Sequence, residues 1–345
     1  MATVNLASKY STKVDEKFQR ASQAALVTNN DYEFSGVRTV NVYSIPTVPM
    51  GNYRRDGANR YGTPGELGNS VQELTVKQDR SWTFTIDKGN KTQSHMVMDA
   101  GKAVSRQLAQ VVIPEYDKFI FRKLAASACG NTGHSSTTAV TKTNAYEQFL
   151  AGQEVLGDAN VPDAGRVALC SYKFANLLKQ DSAFMKYGNL SQEMILKGIL
   201  GEVDGTKIVK VPASRLPSGC DFILTHPVAC CAPKQLSEYK IHTDPVGISG
   251  WLAEGRVIYD AFVLNNKADA IFYHGASAVT EETTVTLTGD GSKKTFAVSP
   301  ILRDITEVKV DGTTTTAYTY DSFTGEITFA TAPGASKAIA IKGIE

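Results

Sequence analysis

Residues 93–124 read QSHMVMDAGKAVSRQLAQVVIPEYDKFIFRKL. Apolar side chains recur there at every third or fourth position, the spacing of one face of an amphipathic helix. The side chains of this stripe are Val97, Val104, Leu108, Val111, Tyr116, Ile120 and Leu124. Pro114 interrupts the stretch, and because proline lacks a backbone donor it should kink or restart the helix. The stretch therefore predicts one long helix in two parts.

A pair of strands precedes this helix. Residues 74–87 alternate apolar and polar side chains, the period of a β-strand, with Leu74, Val76, Trp82, Phe84 and Ile86 on one face. Residues 37–45 supply a partner strand, so residues 37–92 are predicted to form one long hairpin.

The tip of this hairpin is polar. Residues 49–70 contain five glycines and a cluster of arginines, Arg54, Arg55 and Arg60. Such a segment buries too little apolar surface to order itself. We therefore expect it to be mobile or to be ordered by another molecule. The arginines could contact nucleic acid, but carboxylates of a neighbouring chain are the favoured partners. Arg54, Arg55 and Arg60 at the tip are predicted intersubunit contacts, together with Trp82 and Phe84 on the apolar face of the hairpin.

Composition narrows the classes of function. The chain has 345 residues, 42% hydrophobic and 21% charged, with a formal net charge of +1. A strongly basic nucleic-acid binder is disfavoured, since phosphate contacts need clustered Lys and Arg. No apolar run is long enough to cross a membrane, and the N-terminus lacks the apolar core of a signal peptide. Five cysteines without metal or redox spacing favour buried, unpaired thiols in a reducing compartment.

The rest of the chain separates into three kinds of sequence. Residues 1 to about 35 are polar and without sustained period, which indicates an arm. From about residue 143 the pattern alternates between helix and strand, and residues 229–274 consist mainly of strands. Beyond a composition break at residues 276–282, six short Thr-rich strands separated by glycine turns predict a small β-sandwich.

No constellation of residues points to catalysis, a cofactor or a metal. The GDGSKKT segment, residues 289–295, lacks the spacing of a phosphate loop and predicts a hairpin turn. The histidines are scattered, and Ser171 is better explained as a helix cap than as a nucleophile. Glu115 and Asp117 read as first-turn acids of the restarted helix. The sequence therefore predicts a protein that is not an enzyme, and two extensions that cannot fold alone favour ordered self-assembly.

The order of these elements resembles the major capsid proteins of tailed bacteriophages, with the Hong Kong 97-type fold. The resemblance covers about residues 1–276, and the remainder resembles the immunoglobulin-like domains that phage structural proteins carry. The segments that carry it are LTVKQDRSWTFTIDKGNKTQS (residues 74–94), VVIPEYDKF (111–119), RVALCSYKFANLLKQD (166–181), GEVDGTKIVKVPASRLP (201–217), APKQLSEYKI (232–241) and AEGRVIYDAFVL (253–264).

The resemblance implies an α+β fold made of named parts. These parts are an N-terminal arm (1–36), an extended loop hairpin (37–92), the spine helix with the first part of a peripheral domain (93–142), an axial domain (143–230), the second part of the peripheral domain (231–276) and an immunoglobulin-like β domain (280–345).

The resemblance also implies a function. Pentamers and hexamers would tile an icosahedral shell in the virion, assembled in the host cytoplasm around double-stranded DNA, with a portal at one vertex and no membrane. Many relatives begin with a cleaved helical scaffolding segment; none precedes this arm, which implies a separate scaffolding protein. No motif identifies a crosslink between Lys and Asn.

Two other classes of protein stay open at this point. An encapsulin-like nanocompartment shares the fold but would need a groove for a cargo peptide, and the appended β domain weighs against it. A surface adhesin built of β domains would need a signal peptide and repeats, and the sequence has neither.

Overall fold

The computed structural model describes residues 22–32, 38–93, 100–182, 184 and 201–344. Contacts divide the chain into two units, Met1–Ile113 with His226–Ala270, and Pro114–Thr225 with Ile271–Glu345. Among the described residues, none of the helices combines the length and the apolar character needed to cross a membrane.

Helices and strands are both present, and strands predominate. The α-helices are α1 (Lys88–Gln93), α2 (Ala100–Gln107), α3 (Ile113–Gly130), α4 (Ala145–Asp158) and α5 (Tyr172–Gln180). The strands before α5 are β1 (Thr39–Ser44), β2 (Ser70–Thr75), β3 (Gln78–Asp87), β4 (Ser135–Ser136) and β5 (Val167–Ser171). The next strands are β6 (Glu202–Val203), β7 (Thr206–Val211), β8 (Cys220–Thr225), β9 (Cys230–Cys231), β10 (Lys234–Thr243), β11 (Gly250–Tyr259), β12 (Phe262–Val263) and β13 (Ile271–Gly275). The last strands are β14 (Glu282–Thr288), β15 (Thr295–Ala297), β16 (Asp304–Val310), β17 (Thr313–Thr314), β18 (Tyr318–Asp321), β19 (Glu326–Phe329) and β20 (Ala338–Ile344).

The predicted return strand of the hairpin is two strands with different partners. β2 pairs with β1, whereas β3 joins β10 and β11 in a three-stranded sheet. The change occurs at Lys77, whose N–H donates to the Asp260 carboxylate over 2.9 Å instead of continuing a ladder. The prediction of one continuous strand was therefore wrong. The alternation was right, because Leu74, Val76 and Ile86 are all buried.

The predicted long helix is interrupted before Pro114. A π-helical turn, Leu108–Val112, separates α2 from α3, and the Ile113 N–H donates to the Leu108 carbonyl. This wider turn accommodates the proline that follows, so the predicted restart is confirmed. The apolar stripe does not run through it, because Val111 is 44% exposed. Val97 lies outside the described residues.

The second unit contains a six-stranded sheet in the order β4-β13-β8-β5-β7-β6. Helix α5 connects the parallel strands β5 and β7, as the predicted alternation of helix and strand requires. Ser171 caps α5 by accepting the Phe174 N–H over 3.1 Å, which confirms its predicted role. Helix α4 packs closely on the sheet, since a β-carbon on Gly152 would lie 2.9 Å from the Phe272 ring.

The C-terminal strands form two sheets over one core. The orders are β14-β20-β16-β17 and β15-β19-β18, and Val285, Val308, Ile327 and Ile341 are among the buried core residues. We refer to residues 282–344 as the β domain. The predicted hairpin turn at residues 289–295 was wrong, because β14 pairs with β20 and β15 with β19. The segment instead carries the chain from one sheet to the other.

A buried ion pair holds α3 to the segment that follows β7. An Arg215 guanidinium nitrogen lies 2.7 Å from the Asp117 carboxylate, and both side chains are almost fully buried. The interpretation of Asp117 as a first-turn acid was therefore wrong. A carboxylate with no access to water needs a charged partner, and the chain supplies one 98 residues away.

Candidate intersubunit interface

The base of the hairpin is firmly held within its own unit. Leu74 and Val76 are buried against Leu264 in a small apolar cluster. The side chain of Gln72 donates to the Val263 carbonyl over 2.9 Å and accepts the Asn265 N–H over 3.0 Å. These contacts fix β2, so the direction in which the hairpin leaves the unit is set by its own chain.

Beyond the last pair of the hairpin, Ser44 and Ser70, the chain projects into solvent. Every residue from 45 to 69 is exposed. Several are large and apolar: Met50 and Tyr61 are 101% and 93% exposed, and Val48 and Leu67 are also uncovered. Covering one such side chain contributes about 1.5–3 kcal/mol. A run of uncovered apolar side chains is typical of a surface that binds another protein.

The three predicted arginines lie at the tip of this loop. The Arg54 N–H donates to the Arg60 carbonyl over 3.0 Å, and the Arg60 Nε donates to the Gly57 carbonyl. The rings of Tyr53 and Tyr61 pack edge to face at 5.0 Å across the turn. None of the carboxylates in the described ranges forms an ion pair with these three arginines. The turn therefore brings the backbone of Arg54 next to that of Arg60, and the exposed arginines of the tip lie on a segment that also carries apolar side chains.

Trp82 and Phe84 lie elsewhere, in the three-stranded sheet. Their rings stack at 5.6 Å with an interplanar angle of 14°. Trp82 sits opposite Gly255 of β11 and covers it. Its Nε1 is buried and has no hydrogen-bond partner among the described residues. The sequence placed all five residues on one hairpin, but the structure divides them between the loop tip and this sheet.

The opposite face of the same sheet is charged. Arg256 makes two hydrogen bonds to Asp79, at 2.8 and 2.5 Å, and this contact lowers the pKa of the Asp79 carboxyl. His242 approaches Glu254 at 3.4 Å, and Glu238 lies on the same face. The Lys240 Nζ lies 3.6 Å from Glu238, so this face carries both signs of charge.

Sequence reasoning missed the apolar part of the loop and the charged face of the sheet. Met50 and Tyr61 lie in a segment that was interpreted only from its glycines and arginines. A count of large apolar residues within that segment would have found them. The charged face depends on which strands pair, and Glu238 and Glu254 are brought to one face only by the pairing of β10 with β11.

Outside this surface, a few titratable side chains are buried. His274 is buried and its Nδ1 lies 3.2 Å from Asp221. Burial raises the pKa of the thiols of Cys170 and Cys220 far above the usual range. Within the described ranges, no three His, Cys, Asp or Glu side chains converge closely enough to hold a metal ion.

Replacing Gly255 with alanine tests whether the Trp82 ring packs on Gly255. A β-carbon at Gly255 would lie 2.3 Å from the Trp82 ring, so the ring must move. We expect a loss of about 1–3 kcal/mol in the free energy of unfolding, measured by urea titration. The control is Gly157→Ala, where the β-carbon meets open space and stability should stay the same or rise. A Gly255→Ala protein as stable as the parent would show that Trp82 does not occupy this position.

The comparisons with known proteins bear on the fold. No family model matches the chain, and no curated protein matches it. Solved structures do. A chain from Mycobacterium phage Che8 is 20% identical with a TM-score of 0.66, and the match covers 80% of this chain and all of that one. The capsid structure of Cyanophage P-SCSP1u is 14% identical with a TM-score of 0.62, over 79% of this chain and 93% of that one.

A third match is the mature capsid of bacteriophage PhiM1. It is 11% identical with a TM-score of 0.60, and the match covers 78% of this chain and 91% of that one. Identities this low carry information about the fold only. The chain therefore has the α+β fold of phage capsid subunits, as its sequence predicted.

Proposed function

We propose that this chain is the major capsid protein of a tailed phage. Pentamers and hexamers of it would tile an icosahedral shell around double-stranded DNA. The observation that carries the proposal is the shared fold, which extends over about 80% of this chain and nearly the whole of the matched capsid chains. Its role is then geometric, and we propose no catalytic residue or cofactor.

The projecting loop supports assembly. It leaves the unit from an anchored base, is exposed throughout and carries uncovered apolar side chains beside three arginines. We propose that it lies on a neighbouring subunit, where Arg54, Arg55 and Arg60 meet carboxylates. Trp82 and Phe84 would support this contact from the three-stranded sheet. A loop that closes a ring of identical contacts gives each subunit the same two neighbours.

We assign the parts of the chain to capsid roles as follows. The arm (1–36) and the extended loop (37–92) bind neighbours, and residues 93–142 and 231–276 form the spine and peripheral domain. Residues 143–230 form the axial domain. Residues 280–345 form an immunoglobulin-like domain that decorates or reinforces the outside. In support, the strands β14 to β20 pair only with one another among the described residues.

The proposal also names the partners in assembly and the compartment where assembly takes place. A separate scaffolding protein would direct assembly in the host cytoplasm, a portal would occupy one vertex, and no membrane is involved. The net charge of +1 supports a container into which DNA is pumped, since a protein that condenses DNA needs excess basic charge. An encapsulin-like compartment is less favoured because the matched solved structures are phage capsids, and the same matches disfavour an adhesin.

Electron microscopy of the purified chain tests the proposal. We expect closed shells, or rings and tubes of capsomers, in negative stain, with matching fast species in sedimentation velocity. The experiment is repeated with the native scaffolding protein, which should shift tubes toward closed shells. Small uniform shells carrying a co-expressed enzyme would instead support a nanocompartment. A chain that stays monomeric or dimeric even with scaffolding protein would overturn the proposal.

A further inference from the structure

The connection between β13 and the β domain is short and contains no flexible residues. We call residues 276–281, which read ASAVTE, the linker. Flexible linkers between domains are rich in glycine and serine. This linker has one serine and no glycine or proline, although most of its side chains are exposed. Contacts with neighbouring parts of the chain fix the backbone of this exposed linker.

The first half of the linker is tied to the six-stranded sheet. The Ala276 N–H donates to the Gly219 carbonyl over 2.9 Å, and the Tyr273 hydroxyl donates to the Ser277 carbonyl over 3.1 Å. Burial raises the pKa of Tyr273, so its hydroxyl keeps the proton that it donates. Gly219 has φ +73, and a β-carbon there would lie 3.1 Å from the Ala276 side chain. The chain therefore leaves β13 in a close-fitting turn.

The second half is tied to α3. The Val279 N–H donates to the Cys129 Sγ over 3.2 Å. Arg122 donates twice, from Nε to the Thr280 carbonyl over 3.1 Å and from Nη2 to the Glu282 carbonyl over 2.8 Å. Arg122 and Cys129 are seven residues apart, two turns along one helix face. The helix therefore presents a row of partners parallel to the linker.

Two further contacts join the same helix to the end of the linker and to the last strand of the β domain. The Lys123 Nζ lies 2.9 Å from the Glu281 carboxylate. Phe119 of α3 and Ile344 at the end of β20 line one small recess together with Arg122. Both ends of the β domain, its first and its last strand, thus meet α3.

We propose that α3 holds the β domain in one fixed orientation through this linker, with Arg122 as the main positioning residue. A free linker of this length would let its ends separate and turn over about 13 Å. Six successive contacts along the linker and its junction with β14 remove that freedom. The β domain is then a rigid part of the subunit, and every copy presents its outer surface at the same angle.

Limited proteolysis of the full chain tests this proposal. Glutamyl endopeptidase cuts after Glu281 and Glu282, which the fixed backbone should protect even though Glu281 is exposed. We expect Arg122→Met to raise the rate of release of the C-terminal fragment at least tenfold, because the Thr280 carbonyl loses the donor from α3 and the Glu282 carbonyl keeps only the Thr280 hydroxyl, which lies on the linker itself. Mass spectrometry identifies the fragment. The control is Lys173→Met on α5, which removes the same charge from an exposed helix position and should leave the rate unchanged.

Three results would overturn the proposal. The first is a parent chain cut here as fast as a free peptide of residues 274–286. The second is an Arg122→Met chain with a native circular dichroism spectrum and an unchanged rate of cutting. If Arg122→Met does not fold, Lys123→Met decides instead, since its side chain is partly exposed and its loss should be tolerated. A folded Lys123→Met chain with no faster cutting is the third such result.

Discussion

Replacing Asp117 with asparagine is expected to lower the free energy of unfolding of its unit by about 3–5 kcal/mol, because the buried charge of Arg215 would lose the carboxylate that balances it. The pair is joined at 2.7 Å with both side chains almost fully buried. Breaking one partner of such a pair costs far more than the pair itself contributes. For a unit of this size the loss corresponds to a fall in melting temperature on the order of 10 °C, measured by calorimetry.

A second ion pair in the same unit provides the control. Asp163 pairs with Arg166 at 2.8 Å, but its side chain is 83% exposed. Arg166 also donates to the Pro162 and Val161 carbonyls, so it keeps partners when Asp163 changes. Asp163→Asn should therefore cost less than about 1 kcal/mol. If Asp117→Asn costs no more than Asp163→Asn, the buried pair does not exist as described.

The double variant Asp117→Leu with Arg215→Met separates two explanations. If the loss comes from an unpaired buried charge, removing both charges should restore most of the stability. If the loss comes from disturbed packing of α3, the double variant should be at least as unstable as the single one. With Asp117→Leu and Arg215→Met also made singly, the four proteins form a double-mutant cycle that measures the coupling between the two side chains.

The spacing of apolar residues and the positions of turn residues predicted the helices and strands, because both signals depend on residues that are close together in the sequence. The strand β5, the cap at Ser171 and the restart at Pro114 each depend on a few neighbouring residues. The division between β2 and β3 could not be predicted in this way. It depends on the Asp260 carboxylate, 183 residues from Lys77, accepting a backbone N–H that would otherwise continue the strand.

The candidate interface shows the same division between local and distant signals. The cluster of Arg54, Arg55 and Arg60 is visible in the sequence, and the structure places all three at the tip. The sequence predicts Trp82 on that hairpin because residues 74–87 alternate apolar and polar side chains like one strand. Its true neighbours, such as Gly255 on β11, come from a part of the chain more than 170 residues away, and only the pairing of strands reveals them.

The largest effect on assembly is expected from reversing the charge of the loop tip. In the proposed shell, Arg54, Arg55 and Arg60 face carboxylates of a neighbouring subunit. Changing all three to glutamate removes charge-assisted hydrogen bonds of about 1.5–3 kcal/mol each and adds repulsion. Each 1.4 kcal/mol is a tenfold change in affinity, and every subunit carries the change. The triple variant should stay a folded, unassembled chain at concentrations where the parent forms shells or capsomers, as sedimentation velocity would report.

A control variant with the same change in net charge outside the loop distinguishes the loss of a specific contact from a general effect of charge. Lys142, Lys293 and Lys294 are exposed and lie outside the loop, so changing them to glutamate alters the net charge by the same amount. This control should still assemble. Because the arginine contacts are electrostatic, added salt should weaken assembly of the parent, while the apolar contacts of Met50 and Tyr61 persist. A triple arginine variant that assembles like the parent would remove the three arginines from the interface and leave the apolar side chains as the candidates on this loop.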